Sequence, residues 1–179
     1  MGEEKTPSRV KLFFGLLFSD AEVLARAETR IINDYGEVDL SSPVEAFNKT
    51  SYYEKEMGPG LKRKFIAISN LMKREELPSV KLQTNRLEQL FAGPDGKRRI
   101  NIDPGYLTLS KVVLATTKDY DHRLYLGKKI FGEVTLHYKS SEKGYLPWEW
   151  TYPDYREDMS LAFFNQLREI YHKQMREKS

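Results

Sequence analysis

The hydrophobic pattern of this chain begins with an almost unbroken apolar run from Val10 to Phe18, which predicts a central strand covered on both faces. A second run within Lys62–Ser69 predicts another strand. Arg98–Asp103 alternates charged and apolar residues, as a half-buried strand does. A weaker pattern around Val44 and Ala46 predicts a strand between the first two runs.

Apolar residues spaced three and four apart predict helices at about 20–35, 75–91 and 156–175. Ser19 is the predicted cap of the first helix, because Glu22 follows it three residues later as in a capping box. The final helix follows a loop rich in aromatic residues and proline.

The stretch after the fourth strand is less regular. Asp103-Pro104-Gly105 predicts a turn that ends the strand. Residues 107–116 fit both a helical face and a strand face, and we favour a short helix with Thr108 near its start. Residues 122–138 predict a β-hairpin that turns at Gly127-Lys128-Lys129.

The order of these elements is β-α-β-β-α-β, followed by the hairpin and the final helix. It predicts an α+β fold with a ferredoxin-like core and a mainly antiparallel sheet. We expect a single domain over residues 1–179, with frayed ends at 1–8 and 176–179.

Composition narrows the functional classes. The 29 basic and 26 acidic residues give a net charge of +3, which is too balanced to indicate nucleic-acid binding by itself. The chain has no cysteine, which is compatible with a reducing cytoplasm, and we expect a cytoplasmic protein. The apolar run Leu12–Phe18 is much shorter than the ~20 residues of a membrane span, so we expect no membrane partner.

Several runs of this sequence resemble one family: SYYEKEMG, GLKRKF, KLQTNRLE, RRINIDPGYL, LATTKDYDHRLYLGK, EVTLHYK and WTYPDYR. The family consists of small, uncharacterised bacterial and archaeal proteins that share a domain of unknown function. The resemblance covers nearly the whole chain and implies no particular chemistry. Some members are labelled GTP-binding, but this chain has no G-x-x-x-x-G-K-[ST] motif. Thr117-Lys118-Asp119-Tyr120 also lacks the Asp two residues after Lys that a guanine-binding loop needs.

The first candidate site lies within residues 97–123, where polar side chains gather beside two breaks in the backbone pattern. Lys118 and Arg123 carry the charges that hold a phosphate group, and Thr117 adds a hydroxyl donor. The alternative is a solvated turn with local ion pairs, since most charged turns are only surface.

Acid–base chemistry is possible in the same stretch. His122 is a candidate proton donor or acceptor near neutral pH. Asp103 or Asp119 would orient His122 or hold a metal ion, although Asp103 is equally suited to capping its turn. The cofactor is unknown. Mg²⁺ is compatible, because such sites need only one or two carboxylates and a phosphate.

A second candidate lies on the helix predicted at 75–91. The spacing of Lys81, Asn85 and Glu88 puts an ammonium, an amide and a carboxylate on one helix face. These residues would bind a ligand as the wall opposite residues 97–123. The alternative is an ordinary solvent-exposed face.

We therefore predict a polar pocket, built by residues 97–123, for a phosphorylated small molecule or nucleotide. One alternative is a protein-interaction module that uses the aromatic loop 145–155 and the final helix. Another is RNA binding through a basic patch of Lys62, Arg63, Lys64, Lys97, Arg98 and Arg99. The sequence decides neither the oligomeric state nor whether the chain is an enzyme.

Overall fold

The computed structural model describes residues 2–48 and 53–177, apart from the side chain of Lys55. The strands are β1 (Val10–Phe18), β2 (Val38–Ser41), β3 (Glu45–Ala46), β4 (Lys62–Met72), β5 (Ile100–Leu107), β6 (Lys111–Thr116), β7 (Leu124–Gly127), β8 (Ile130–Lys139) and β9 (Gly144–Pro147). The helices are α1 (Ala21–Tyr35), α2 (Glu54–Met57), α3 (Leu77–Leu90) and α4 (Asp158–Glu177), with 3₁₀ turns at Arg74–Glu76 and Pro153–Arg156.

All nine strands of the described residues belong to one sheet, whose main path runs β2-β4-β1-β5-β6-β8-β7. β3 pairs with β4 and β9 pairs with β8, and the paired strands are antiparallel. The prediction of mixed helices and strands with a mainly antiparallel sheet and a C-terminal helix is therefore confirmed. The sheet is larger than the predicted core, and the ferredoxin-like topology stays a prediction.

β1 lies between β4 and β5, and all nine of its residues are buried. Side chains alternate between the two faces of a strand, so β1 contributes to two cores. Phe14 and Leu16 pack in the core formed with α1 and α3. Phe13 packs on the opposite face, where its ring meets Phe164 of α4 edge to face at 4.9 Å.

The helix favoured for residues 107–116 is wrong, because residues 111–116 form the strand β6. Pairing with both β5 and β8 buries Val112 and Val113, and these long-range partners decide between two patterns that fit locally. The predicted break at 103–105 is also wrong, since β5 continues to Leu107. Pro104 is tolerated because pairing with β6 begins at the next residue, Gly105.

The predicted hairpin is present as β7 and β8, with Lys128 and Lys129 at positive φ in its turn. The three predicted helices correspond to α1, α3 and α4. The cap of α1 is Asp20 rather than Ser19: its Oδ1 accepts hydrogen bonds from two amides of the first turn. The predicted fraying of residues 1 and 178–179 falls outside the described residues. No helix in the described ranges is long and apolar enough to cross a membrane.

Candidate functional site

β5 and β6 diverge at the start of β5, and α3 fills the gap that opens between them. The two strands pair through Gly105–Leu107, whereas Ile102 turns its backbone toward α3. Glu88 Oε1 accepts a hydrogen bond of 2.6 Å from the Ile102 amide. Lys81 Nζ donates a hydrogen bond of 3.2 Å to the Ile102 carbonyl. Two side chains of one helix thus replace the missing strand partner.

A cavity of about 510 Å³ lies at this divergence. Its charged lining residues are Glu56, Arg63, Lys81, Glu88, Arg98, Asp103, Lys118, Glu133 and Asp154. Its aromatic lining residues are Phe47, Tyr53, Tyr152 and Tyr155. The volume falls in the range of sites for small molecules. The high share of charged groups indicates a polar ligand.

Arg98 links the charged groups on one side of the cavity. Its Nη1 donates to Glu88 Oε2 at 3.1 Å and to Asn101 Oδ1 at 2.8 Å. Its Nη2 donates to Glu56 Oε2 at 2.7 Å. Burial raises the pKa of Glu88 above its ordinary value of 4.5, although Lys81 and the bond from the Ile102 amide oppose this shift.

Asp103 is held as an ionised carboxylate. Its Oδ1 lies 3.3 Å from Lys81 Nζ, and its Oδ2 accepts a bond of 2.6 Å from Asn101 Nδ2. Burial opposes ionisation, but the charges of Lys81 and Arg63 outweigh it and hold the pKa of Asp103 below 3.8. Asp103 therefore offers acceptor oxygens to a ligand at neutral pH.

Arg63 is the most deeply buried cation of the cavity wall, with only 5% of its side chain exposed. Its Nη2 lies 2.5 Å from Asp154 Oδ2, as an ion pair without hydrogen-bond geometry. Its Nε and Nη1 have no hydrogen-bond partner among the described residues, and neither does the hydroxyl of Tyr155. Phe47, Phe65 and Tyr155 place their rings 5.4 to 5.9 Å from the guanidinium carbon.

Gly15 of β1 lies beneath this cluster. A Cβ atom at this position would lie 2.7 Å from the Tyr155 hydroxyl and 3.2 Å from Arg63 Nη1. The first distance is shorter than real Cβ contacts, so a side chain here would displace the hydroxyl. Gly15 pairs with Asp103 across the two strands, which puts the cluster beside the ionised carboxylate.

Arg123 lies behind the cavity wall, with 2% of its side chain exposed. Its Nε and Nη2 lie 2.9 and 2.8 Å from Glu133 Oε2. It also donates hydrogen bonds to the Lys118 carbonyl at 3.1 Å and to the Tyr152 hydroxyl at 3.0 Å, and its guanidinium carbon lies 4.3 Å from the centre of the Tyr120 ring. His122 Nε2 lies 3.2 Å from the same Glu133 oxygen. Arg123 thus contacts three residues that line the cavity: Lys118, Glu133 and Tyr152.

The structure brings most of the predicted site residues together. Lining the cavity are Lys81, Asn85, Glu88, Asp103, Thr117 and Lys118. His122 and Arg123 reach the wall through Glu133. Asp119 is exposed and is not among the lining residues that the structure describes.

Sequence reasoning missed Arg63, Asp154 and Tyr155 as site residues. Arg63 shares its strand face with Phe65 and Ala67, and this alternation was the signal that it points inward. Asp154 and Tyr155 sit in the 3₁₀ turn before α4 and carry no comparable signal.

The six residues of the predicted basic patch do not all lie on the surface. Arg63 is buried on one face of the sheet, and Arg98 is bound within the cavity wall. Lys64 forms an ion pair of 2.6 Å with Glu28. The RNA-binding alternative therefore lacks the complete patch that it assumed, and it stays a prediction.

The aromatic loop is only partly packed on itself. Trp150 stacks with His122 at 5.4 Å and with Trp148 at 5.2 Å, but it remains 39% exposed, and Trp148 and Tyr152 are each 37% exposed. α4 buries its apolar face, including Phe163 and Leu167, against the sheet. The interaction-module alternative stays a prediction.

Comparison with known families identifies the family of the chain. A model of a domain of unknown function, DUF4416, matches residues 8–171. The chain belongs to the DUF4416 family. No curated protein and no solved structure matches it significantly. The DUF4416 region runs from before β1 into α4, so every residue that lines the cavity lies within it.

Metal binding by this DUF4416 chain has limited support from its own side chains. The described residues contain no group of three or more His, Cys, Asp or Glu side chains that could hold a metal ion. A Mg²⁺ ion would need the phosphate oxygens of a ligand in addition to one or two carboxylates.

Proposed function

We propose that this DUF4416 chain binds a phosphorylated small molecule or a nucleotide in the cleft between β5 and β6. The observation that carries the proposal is the concentration of buried charges around one cavity of ligand size. Buried ion pairs contribute little to stability, because desolvation offsets their attraction. Their concentration around a cavity therefore supports a role in binding.

The mouth of the cleft supplies groups suited to phosphate. Thr117 and Lys118 follow the end of β6, are exposed and line the cavity. The Lys118 amide donates to Thr116 Oγ1 at 3.2 Å, which orders this turn. An ammonium and a hydroxyl in such a turn bind phosphate oxygens through charge-assisted hydrogen bonds.

The inner wall suits the rest of such a ligand. The ionised carboxylate of Asp103 accepts hydrogen bonds from hydroxyl groups, which sugar phosphates and nucleotides carry. Phe47 and Tyr53 line the cavity with their rings 6.0 Å apart, and they offer apolar surface to a sugar or a base.

A thermal-shift screen tests the proposal. Nucleotides and sugar phosphates would be compared with their unphosphorylated counterparts, with and without Mg²⁺. A ligand at 100 times its dissociation constant adds about 2.7 kcal/mol to the free energy of unfolding. We expect phosphorylated compounds to raise the melting temperature and their counterparts to have a much weaker effect.

Two lysine variants provide the matched control. Lys118→Ala removes the ammonium at the mouth, and Lys173→Ala removes an exposed lysine of α4 far along the chain. The shift should shrink in the first variant and persist in the second. Equal shifts with phosphorylated and unphosphorylated compounds, or no shift with any compound, would contradict the proposal.

A further inference from the structure

We infer that Arg63 and Tyr155 form a subsite that takes one anionic oxygen group, a carboxylate or a phosphoryl group, above Gly15. The inference rests on the proposed function in that the subsite belongs to the same cavity. The inference goes beyond the proposed function because it names the buried residues that bind the anionic group of the ligand.

Two buried side chains of the cavity wall carry donors that have no hydrogen-bond partner among the described residues. Nearly all buried polar groups in proteins have a hydrogen-bond partner, and each exception requires a reason. Arg63 and the hydroxyl of Tyr155 both belong to almost fully buried side chains, 4% and 1% exposed as residues. Within the described residues, Arg63 Nε and Nη1 and the Tyr155 hydroxyl find no acceptor. An acceptor supplied by a ligand would satisfy them.

The donors also converge. Arg63 Nη1 and the Tyr155 hydroxyl both approach the point where a side chain at Gly15 would begin, at 3.2 and 2.7 Å. Because both atoms lie within 3.2 Å of that point, they are close enough to each other for one acceptor oxygen to bond with both. Because Gly15 has no side chain, both donors can occupy these positions without a clash.

The surrounding charges set the kind of group that fits. Asp154 pairs with Nη2 of Arg63, and Lys81 pairs with Asp103, so the immediate surroundings are close to neutral. A strongly bound group must then use the unmet N–H and O–H donors directly. Oxygens of carboxylates and phosphoryl groups accept such charge-assisted bonds from arginine.

Nuclear magnetic resonance of the arginine Nε–H groups tests the subsite. The full chain would be titrated with inorganic phosphate and, separately, with acetate, at an ionic strength held constant with chloride. We expect the Arg63 signal to move saturably, with a dissociation constant of about 1 mM or tighter for at least one of the two anions. The anion that saturates it tells whether the subsite takes phosphoryl or carboxylate groups.

Variants make the assignment specific. Tyr155→Phe keeps the ring and removes one donor, so the anion should bind about tenfold more weakly. Tyr125→Phe, which changes an exposed tyrosine of β7, should leave the affinity unchanged. No saturable movement of the Arg63 signal with either anion, or equal affinity of the wild type and Tyr155→Phe, would overturn the subsite.

The result separates the subsite from the broader proposal. If a phosphorylated compound stabilises the protein without moving the Arg63 signal, the subsite is refuted and the cleft function stands. If the anions move the Arg63 signal but no phosphorylated compound stabilises the protein, the subsite stands and the proposed function fails.

Discussion

The carboxylate of Glu88 accepts a hydrogen bond of 2.6 Å from the backbone amide of Ile102. A helix side chain thereby satisfies a donor that a neighbouring strand would otherwise bind. Because Glu88 takes the place of a strand partner, β5 and β6 can separate without leaving the buried Ile102 amide unpaired. Glu88 also lines the cavity, so this contact lies in the wall of the cleft.

We expect replacement of Glu88 to destabilise the protein more when the new side chain cannot accept a hydrogen bond from the Ile102 amide. Glu88→Leu leaves the Ile102 amide unsatisfied and should lower the free energy of unfolding by about 1–3 kcal/mol. Glu88→Gln retains an acceptor oxygen and should cost less. Urea denaturation measures both, and equal losses would show that the Ile102 contact is unimportant.

Asp103 should make stability depend on acidic pH. Although burial opposes its ionisation, Lys81 and Arg63 hold its folded-state pKa below 3.8. Such a carboxyl stabilises the fold above its unfolded pKa, and this contribution is lost as the pH falls through the folded pKa. We expect Asp103→Asn to flatten the fall in unfolding free energy below about pH 4. Denaturation curves collected across this range check it, and superimposable slopes for both proteins would contradict it.

The Tyr155 hydroxyl should contribute nothing to stability in the absence of ligand. It is buried without a partner, so Tyr155→Phe should leave the unfolding free energy unchanged or slightly higher. A measured loss above about 1 kcal/mol would indicate a hydrogen bond in the unliganded protein.

Gly15→Ala should destabilise by about 1–3 kcal/mol, because its Cβ would approach the Tyr155 hydroxyl to 2.7 Å. Tyr155→Phe removes the clashing oxygen and should restore part of this loss in the double variant. Denaturation of the two single variants and the double variant forms a complete cycle. Strictly additive effects of the two substitutions on the free energy of unfolding would show that the Tyr155 hydroxyl does not lie against Gly15.

Arg123 should be required for the integrity of the cavity wall. Arg123→Met leaves the nearly inaccessible carboxylate of Glu133 without its closest cation and should cost about 3–5 kcal/mol. The exposed pair of Arg30 and Asp34 is the control, since Arg30→Met should change stability by no more than about 0.5 kcal/mol. Similar losses in both variants would argue against a special role for Arg123.

The spacing of apolar and polar residues along the chain predicted several elements of the fold correctly. The apolar run of β1, the turn between β7 and β8 and the polar face of α3 all follow from residue spacing. The spacing of Lys81, Asn85 and Glu88 was sufficient to put them on one wall of the cavity.

Long-range partners decided the rest. Residues 107–116 fitted both a helix and a strand, and only pairing with β5 and β8 selects the strand. Arg63 appeared to belong to a surface patch because it stands between two lysines, yet its strand turns it inward. Its partner Asp154 lies far along the chain, so only the folded sheet brings the two together.

The position of a bound ligand is the most direct test of the proposed cleft. Backbone amide spectra would be recorded while the chain is titrated with the phosphorylated compound that stabilises it most. We expect the saturable changes to concentrate at residues 101–103 and 114–118, where the diverging strands line the cavity. Changes confined to the β7–β8 hairpin or to α4, or no saturable change at any described residue, would contradict the account.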